Sequence, residues 1–220
     1  GLVTMARNLT ADGIFARTAL LEVDDTLQGI RTGLEILHGV FFHPNIVYLP
    51  VMPDMDERAL QFVLDHAVEN EMGVILFARH PVAGMGREKL VNVWIREQSP
   101  DWEVGLRLSN LDLNLLLGYQ LVRNWQGQMT LITLVSDESE KQKGEAFLST
   151  LIEYGRMPRS TRAVVEVARL DDYLPRAPQA DLHIFGLQER VDMKFMERMV
   201  AATGASCIFV RSSGHESALA

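Results

Sequence analysis

Short apolar runs rich in β-branched residues alternate along this chain with longer stretches in which apolar residues recur every three or four positions. These are the signatures of buried strands and amphipathic helices. The second half shows them most cleanly. After an extended stretch at 103–109, residues 114–126 carry Leu115, Leu116, Leu117, Tyr119, Leu121, Val122 and Trp125 on most sides of a helix stopped by Gly127, so the pattern predicts a helix that is buried or at an interface. Residues 129–136 (MTLITLVS) read as a strand covered on both faces. A helix follows over 140–155, with Phe147, Leu148, Leu151 and Ile152 inward, and Gly155 and Pro158 end it. Further strands are predicted at 161–168, 181–187 and 206–210. Between the last two, Asp192 caps a helix striped by Phe195, Met196, Met199 and Val200 and closed by Gly204.

The first half repeats the order more loosely: strand 18–23, helix 27–40, strand 45–51, helix 57–71, strand 73–78 and strand 90–95. In the helix at 57, Leu60, Val63, Leu64, Ala67 and Val68 form one stripe, and Asp54 stands three residues before Glu57 as a capping box would place it. Strands alternating with helices require a mainly parallel sheet, right-handed crossovers and helices on both faces. The expected fold is α/β, two tandem doubly wound subdomains, 1–100 and 101–220, meeting at the Ser99-Pro100-Asp101 turn signal. Trp94, Trp102 and Trp125 cluster near that junction in sequence and are expected to pack it.

Composition narrows the function classes. With 47% apolar and 23% charged residues in 220, the chain has enough material for a large core and is not disordered. Its 21 basic against 29 acidic residues, net −8, argue against a broad grip on nucleic acid or on an anionic membrane surface. One cysteine, Cys207, excludes an internal disulfide and a cysteine-rich zinc site, and fits a reducing compartment. The greasiest segments are interrupted by His43, Pro44, Pro50 and Pro53, or by Asn114 and Arg123, so no membrane span is expected. Residues 1–4 show neither the basic nor the apolar region of a signal peptide.

Candidate chemistry is sparse. The segment 83–89 (AGMGREK) follows a strand but lacks the Gly-Lys-Ser/Thr of a nucleoside-triphosphate loop and the third glycine of a dinucleotide fingerprint, so it reads as a tight turn. Six histidines show no ligand spacing, and no metal site is expected. Asp24-Asp25 and Asp171-Asp172 stand where strands give way to other structure and read as caps or turns. Cys207 opens the last strand and reads as a buried, inert thiol. There is no Gly-x-Ser-x-Gly elbow and no catalytic constellation, so no enzyme is expected. The remaining small-molecule candidates are Gly186, Arg211, Ser212 and Ser213, at the ends of the last two strands, where open α/β sheets bind ligands.

Four segments carry a resemblance to a known family. GMGREKLVNVWI (84–95) resembles a Gly-x-Gly turn leading into a strand. LSNLDLNLLLGYQLVRNWQGQMTLITLVS (108–136) resembles an apolar helix ending at a basic-Trp element before a strand. ALLEVDDTLQGIRTGLEILHG (19–39) resembles an opening strand and helix, and ADLHIFGL (180–187) with SCIFVRSSGHESALA (206–220) the closing segments. In this order they are similar to the C-terminal domain of prokaryotic cation-chloride cotransporters. The resemblance implies two universal-stress-protein-like subdomains, a homodimer, and a place on the cytoplasmic side of the membrane beside the transporter's own transmembrane domain. The implied role is regulatory and non-catalytic, with electroneutral symport of Na⁺ or K⁺ with Cl⁻ performed by the membrane helices. No cofactor is implied: the Gly-x-x-Gly and later Gly-Ser/Thr of nucleotide-binding universal stress proteins is absent after Phe185-Gly186. The alternative is a universal-stress-type nucleotide sensor, using Gly186 to Arg190 and Arg211 to Gly214.

Overall fold

The computed structural model describes residues 1–41, 43–52, 54–96, 102, 111–216 and 218. Its elements in chain order are α1 (Leu2–Ala11), α2 (Thr26–His38), β1 (Ile46–Pro50), α3 (Glu57–Glu69), β2 (Gly73–Ala78), β3 (Leu90–Ile95), α4 (Asp112–Trp125), β4 (Gln128–Val135), α5 (Glu138–Tyr154), β5 (Arg162–Val167), α6 (Leu170–Tyr173) with a 3-10 turn Leu174–Arg176, β6 (Leu182–Gly186), α7 (Met193–Thr203) and β7 (Ser206–Arg211). All seven strands join one sheet in the order β1-β2-β7-β6-β3-β4-β5. Every pairing is parallel except β2 with β7. This is the α/β, mainly parallel architecture that the alternation of patterns predicts. The predicted stretch 103–109 and the turn at 99–101 lie outside the described residues, and β3 pairs on both sides with strands of the second half.

Alternation along the strands sends successive side chains into two cores. On one face Ile75, Val93, Leu131, Ile184, Ile208 and Val210 meet α4 and α5 through Leu113, Leu115, Phe147, Leu148 and Leu151. On the other, Val74, Leu76, Trp94, Ile132, Phe185 and Phe209 meet α3 and α7 through Leu60, Leu64, Met196 and Met199. Leu64, Leu148 and Phe209 are fully buried, each worth roughly 1.5–3 kcal/mol of hydrophobic transfer. Trp94 and Trp102 sit in opposite cores, so the three tryptophans do not form one cluster. The apolar helix α4 covers the sheet with its buried residues Leu113, Leu115, Gly118 and Val122.

A repeat lies inside this sheet. β1–α3–β2 and β6–α7–β7 have strands of matching length, five residues then six. Their connections, 51–56 and 187–192, each end on an aspartate N-cap, Asp56 and Asp192, whose side chains accept from Arg58 N and Phe195 N. The paired registers open equivalently, Ile46 on Gly73 and Leu182 on Ser206. The antiparallel β2–β7 joint relates the two copies by an approximate twofold axis. In the second copy β6 is flanked by β3, whereas among the described residues β1 is an open edge of the sheet.

Two local readings are corrected. The N-cap of α3 is Asp56 and not Asp54, because Asp56 stands in extended conformation directly before the first helical residue. Residues 18–23 form no strand. A strand exists only where a neighbour supplies its hydrogen bonds, and no described strand pairs with the free side of β1. Leu20 stays 79% exposed, and Val23 instead packs on α2, where a Cβ at Gly29 would lie 2.7 Å from its Cγ2.

Candidate functional site

Two tight turns hold anions, and both anions belong to the chain. In the glycine-containing turn before β3, Gly84 and Gly86 have φ of +57° and +61°, a conformation that glycine adopts without strain. The turn closes around Asp181, whose carboxylate accepts from Arg87 N, Lys89 N and Leu90 N, all at 2.9 Å. A Cβ at Gly86 would come within 2.4 Å of that carboxylate. Burial alone would raise the Asp181 pKa, but the three amides and the Arg87 charge outweigh it and hold the carboxyl below its ordinary value. The segment is therefore the tight structural turn that the lack of a Gly-Lys-Ser/Thr run predicts.

After β7, Ser212 Oγ donates to Glu216 at 2.7 Å, and Ser213 N and Gly214 N donate to the same carboxylate at 2.9 and 3.1 Å. Here too desolvation opposes, and hydrogen bonds from Ser212 and Ser213 dominate, so Glu216 is held below the ordinary range. The tail then crosses the first turn of α4, where Ala218 N donates to the buried Asp112 at 2.6 Å. Of the four candidate ligand residues, Ser212 and Ser213 thus surround Glu216. Arg211 lies at the end of β7 and pairs with Asp65 of α3 at 3.3 Å. Gly186 ends β6, facing Asn114 of α4, whose Nδ2 would lie 3.7 Å from a Cβ there. Asn114 is fully buried, and among the described residues neither of its amide atoms has a partner.

The loop after β6 is clamped onto α3. Gln61 Oε1 accepts from Val191 N and Gln61 Nε2 donates to Glu189 O, while Glu57 accepts from Met193 N at the start of α7. Between them lies an open hollow of about 490 Å³, lined by Glu57, Arg58, Gln61, Asp65, Arg190 and Val191. It gathers Arg190, from the loop singled out in the sequence, with residues of α3 that sequence reasoning missed. Their signal is a pairing across more than half the chain, invisible to local patterns.

Several other titratable groups are held by protein contacts or by burial. His183 is buried, accepts from Trp94 Nε1 at 3.1 Å, and is driven by desolvation to a pKa of about 4. Burial pushes the Cys207 thiol up to about 12. His80 Nδ1 accepts from Ala83 N in the turn after β2. Asp25 caps α2 by accepting from Gln28 N, and Asp171 pairs with Arg198. Among the described residues no group of three His, Cys, Asp or Glu is placed to hold a metal ion, and no helix is long and apolar enough to cross a membrane.

Two family models divide the chain between them: the first part of the prokaryotic cation-chloride cotransporter C-terminal domain matches residues 1–85, and the second part matches 86–219. The chain belongs to this family. The crystal structure of the cytoplasmic domain of a prokaryotic cation chloride cotransporter superposes with a TM-score of 0.89 at 31% identity, over 99% of this chain and 81% of that one. A universal stress protein from Archaeoglobus fulgidus matches with a TM-score of 0.57 at 12% identity, over 96% of this chain and 74% of that one. A Pseudomonas aeruginosa protein of unknown function reaches 0.60 at 15%, over 96% and 77%. These two show the fold alone. No curated protein sequence matches. The two family matches meet between Met85 and Gly86, inside the turn that closes on Asp181.

Proposed function

We propose that this cotransporter domain is a non-catalytic regulatory and dimerisation module on the cytoplasmic side of the membrane. It acts on an attached transmembrane domain that carries out symport of Na⁺ or K⁺ with Cl⁻. One observation carries the reading: many of the exposed large apolar side chains among the described residues belong to the first half of the chain. Ile14, Phe15, Leu20 and Leu21 between α1 and α2, Ile36 and Leu37 on α2, Val40 and Phe41 after it, and Tyr48 and Met52 in and after the edge strand β1 are all exposed. Exposed apolar surface on this scale is the kind that marks an association site. The partner is a second copy of the domain. If two arrangements of the pair differ in contact free energy by the typical 1–3 kcal/mol of allosteric coupling, the equilibrium of the attached membrane domains shifts about 5- to 150-fold.

The test is ion flux through the full transporter carrying Ile36→Asp with Leu37→Asp. These exposed side chains leave the core intact, so expression and folding should be retained while flux changes by at least several-fold. Unchanged flux in a correctly folded, inserted transporter would remove the regulatory reading.

A further inference from the structure

The hollow between α3 and the loop 187–192 contains charges of both signs, but they are not equally satisfied. Its two acids are engaged. Glu57 accepts the first backbone N–H of α7 at 3.0 Å. Asp65 accepts from Gln61 Nε2 at 2.9 Å and from Arg211 Nη1 at 3.3 Å. Its two arginines are not: among the described residues the guanidinium groups of Arg58 and Arg190 make no hydrogen bond or ion pair. Arg58 stands in the first turn of α3. Arg190 is carried by a loop whose backbone is fixed on either side by Gln61, through Glu189 O and Val191 N. Two arginines without a partner among the described residues thus line one concavity, in a chain whose net charge is −8.

We propose that this hollow is a binding site for a phosphate group on a small soluble molecule, with Arg58 and Arg190 as the ligating residues. Paired guanidinium forks match the oxygens of a tetrahedral dianion and bind it by charge-assisted hydrogen bonds. The hollow's volume of about 490 Å³ falls within the range of small-molecule sites, roughly 300–1,000 Å³. Arg211 does not ligate. It pairs with Asp65 at 3.3 Å and so offsets one of the two acids among the lining residues. The site is separate from the apolar surface on α2 and β1, and the proposal does not depend on the regulatory reading.

Inorganic phosphate titrated into the isotope-labelled 220-residue chain at constant ionic strength tests this by amide chemical shifts. Saturable movement is expected at 57–59 and 189–192. Arg58→Gln with Arg190→Gln is expected to weaken binding about tenfold or more, while Arg159→Gln, an exposed arginine before β5, leaves it unchanged. Both arginines are exposed, so the double variant should fold with an unchanged spectrum elsewhere. No saturable movement, movement that survives in the double variant, or the same movement with chloride at equal ionic strength would each overturn the proposal.

Discussion

The two halves of this molecule share a repeated β–α–β unit yet differ in how completely it is enclosed. Around β6–α7–β7 the sheet continues through β3, β4 and β5, and α4 and α5 cover its face, so that Val93, Leu131, Leu148 and Ile184 lose all contact with water. Around β1–α3–β2 the sheet stops at β1. Tyr48 remains 56% exposed there, stacked on Phe77, and α2 leaves Ile36 and Leu37 facing solvent. The lesson is that a repeat fixes the local fold without fixing the burial of its surface. One copy is a finished core, and the other presents an apolar edge.

Truncating an aromatic ring in each region gives the largest contrast. Phe209→Ala, at the centre of the enclosed region and stacked on Phe185 at 5.6 Å, is expected to cost about 3–5 kcal/mol. Phe41→Ala on the exposed rim should fall within about 0.5 kcal/mol for the monomer. Urea unfolding of both variants checks this, and similar losses would abolish the distinction between halves.

Next in size is the acid sensitivity of the enclosed half. His183 has a folded pKa of about 4 against roughly 6.5 unfolded. The unfolded chain therefore binds more protons between those values, and stability is full above about pH 6.5 and lost as pH falls towards 4. At about 1.4 kcal/mol per pK unit the loss is on the order of 3 kcal/mol. Urea midpoints between pH 7 and 4.5 should show that slope, and His183→Phe should flatten it.

Asp181 sharpens the comparison at the border between the two family matches. Its folded pKa is depressed, so its contribution is present above the unfolded carboxylate value and disappears as pH drops through the folded one. Asp181→Asn is expected to cost about 1–3 kcal/mol at pH 7, with a smaller deficit in strong acid, read from denaturation at both pH values. The smallest effect is chemical. Cys207, buried with its thiol pushed up to about 12, should resist alkylation at pH 8 in the native protein and react fully in urea.

The sequence made most strands and helices legible because their signals are local. Residues 73–78 and 129–136 are apolar on both faces, and Asp192 and Gly204 bracket α7 as cap and left-handed stop. What escaped was relational. The same strand-like composition at 18–23 has no neighbour to pair with and stays irregular. The antiparallel insertion of β7 between β2 and β6 depends on a joint between residues far apart in the chain. Gly127 reads as a helix stop, yet its close approach to Lys89 O, 2.2 Å from where a Cβ would sit, is a tertiary constraint. Of the candidate site, Arg190 and Arg211 were visible as basic residues at strand ends. That Glu216 fills the Ser212–Gly214 turn, and that Arg58 and Arg190 line one hollow, emerged only with the fold.

The exposed apolar surface of the first half is proposed as a self-association site. Sedimentation equilibrium of the 220-residue chain over a wide concentration range tests it most directly. The account predicts a reversible dimer that Ile36→Asp with Leu37→Asp converts to monomer without loss of fold. A chain that stays monomeric at high micromolar concentration, or a dimer untouched by those substitutions, would contradict it.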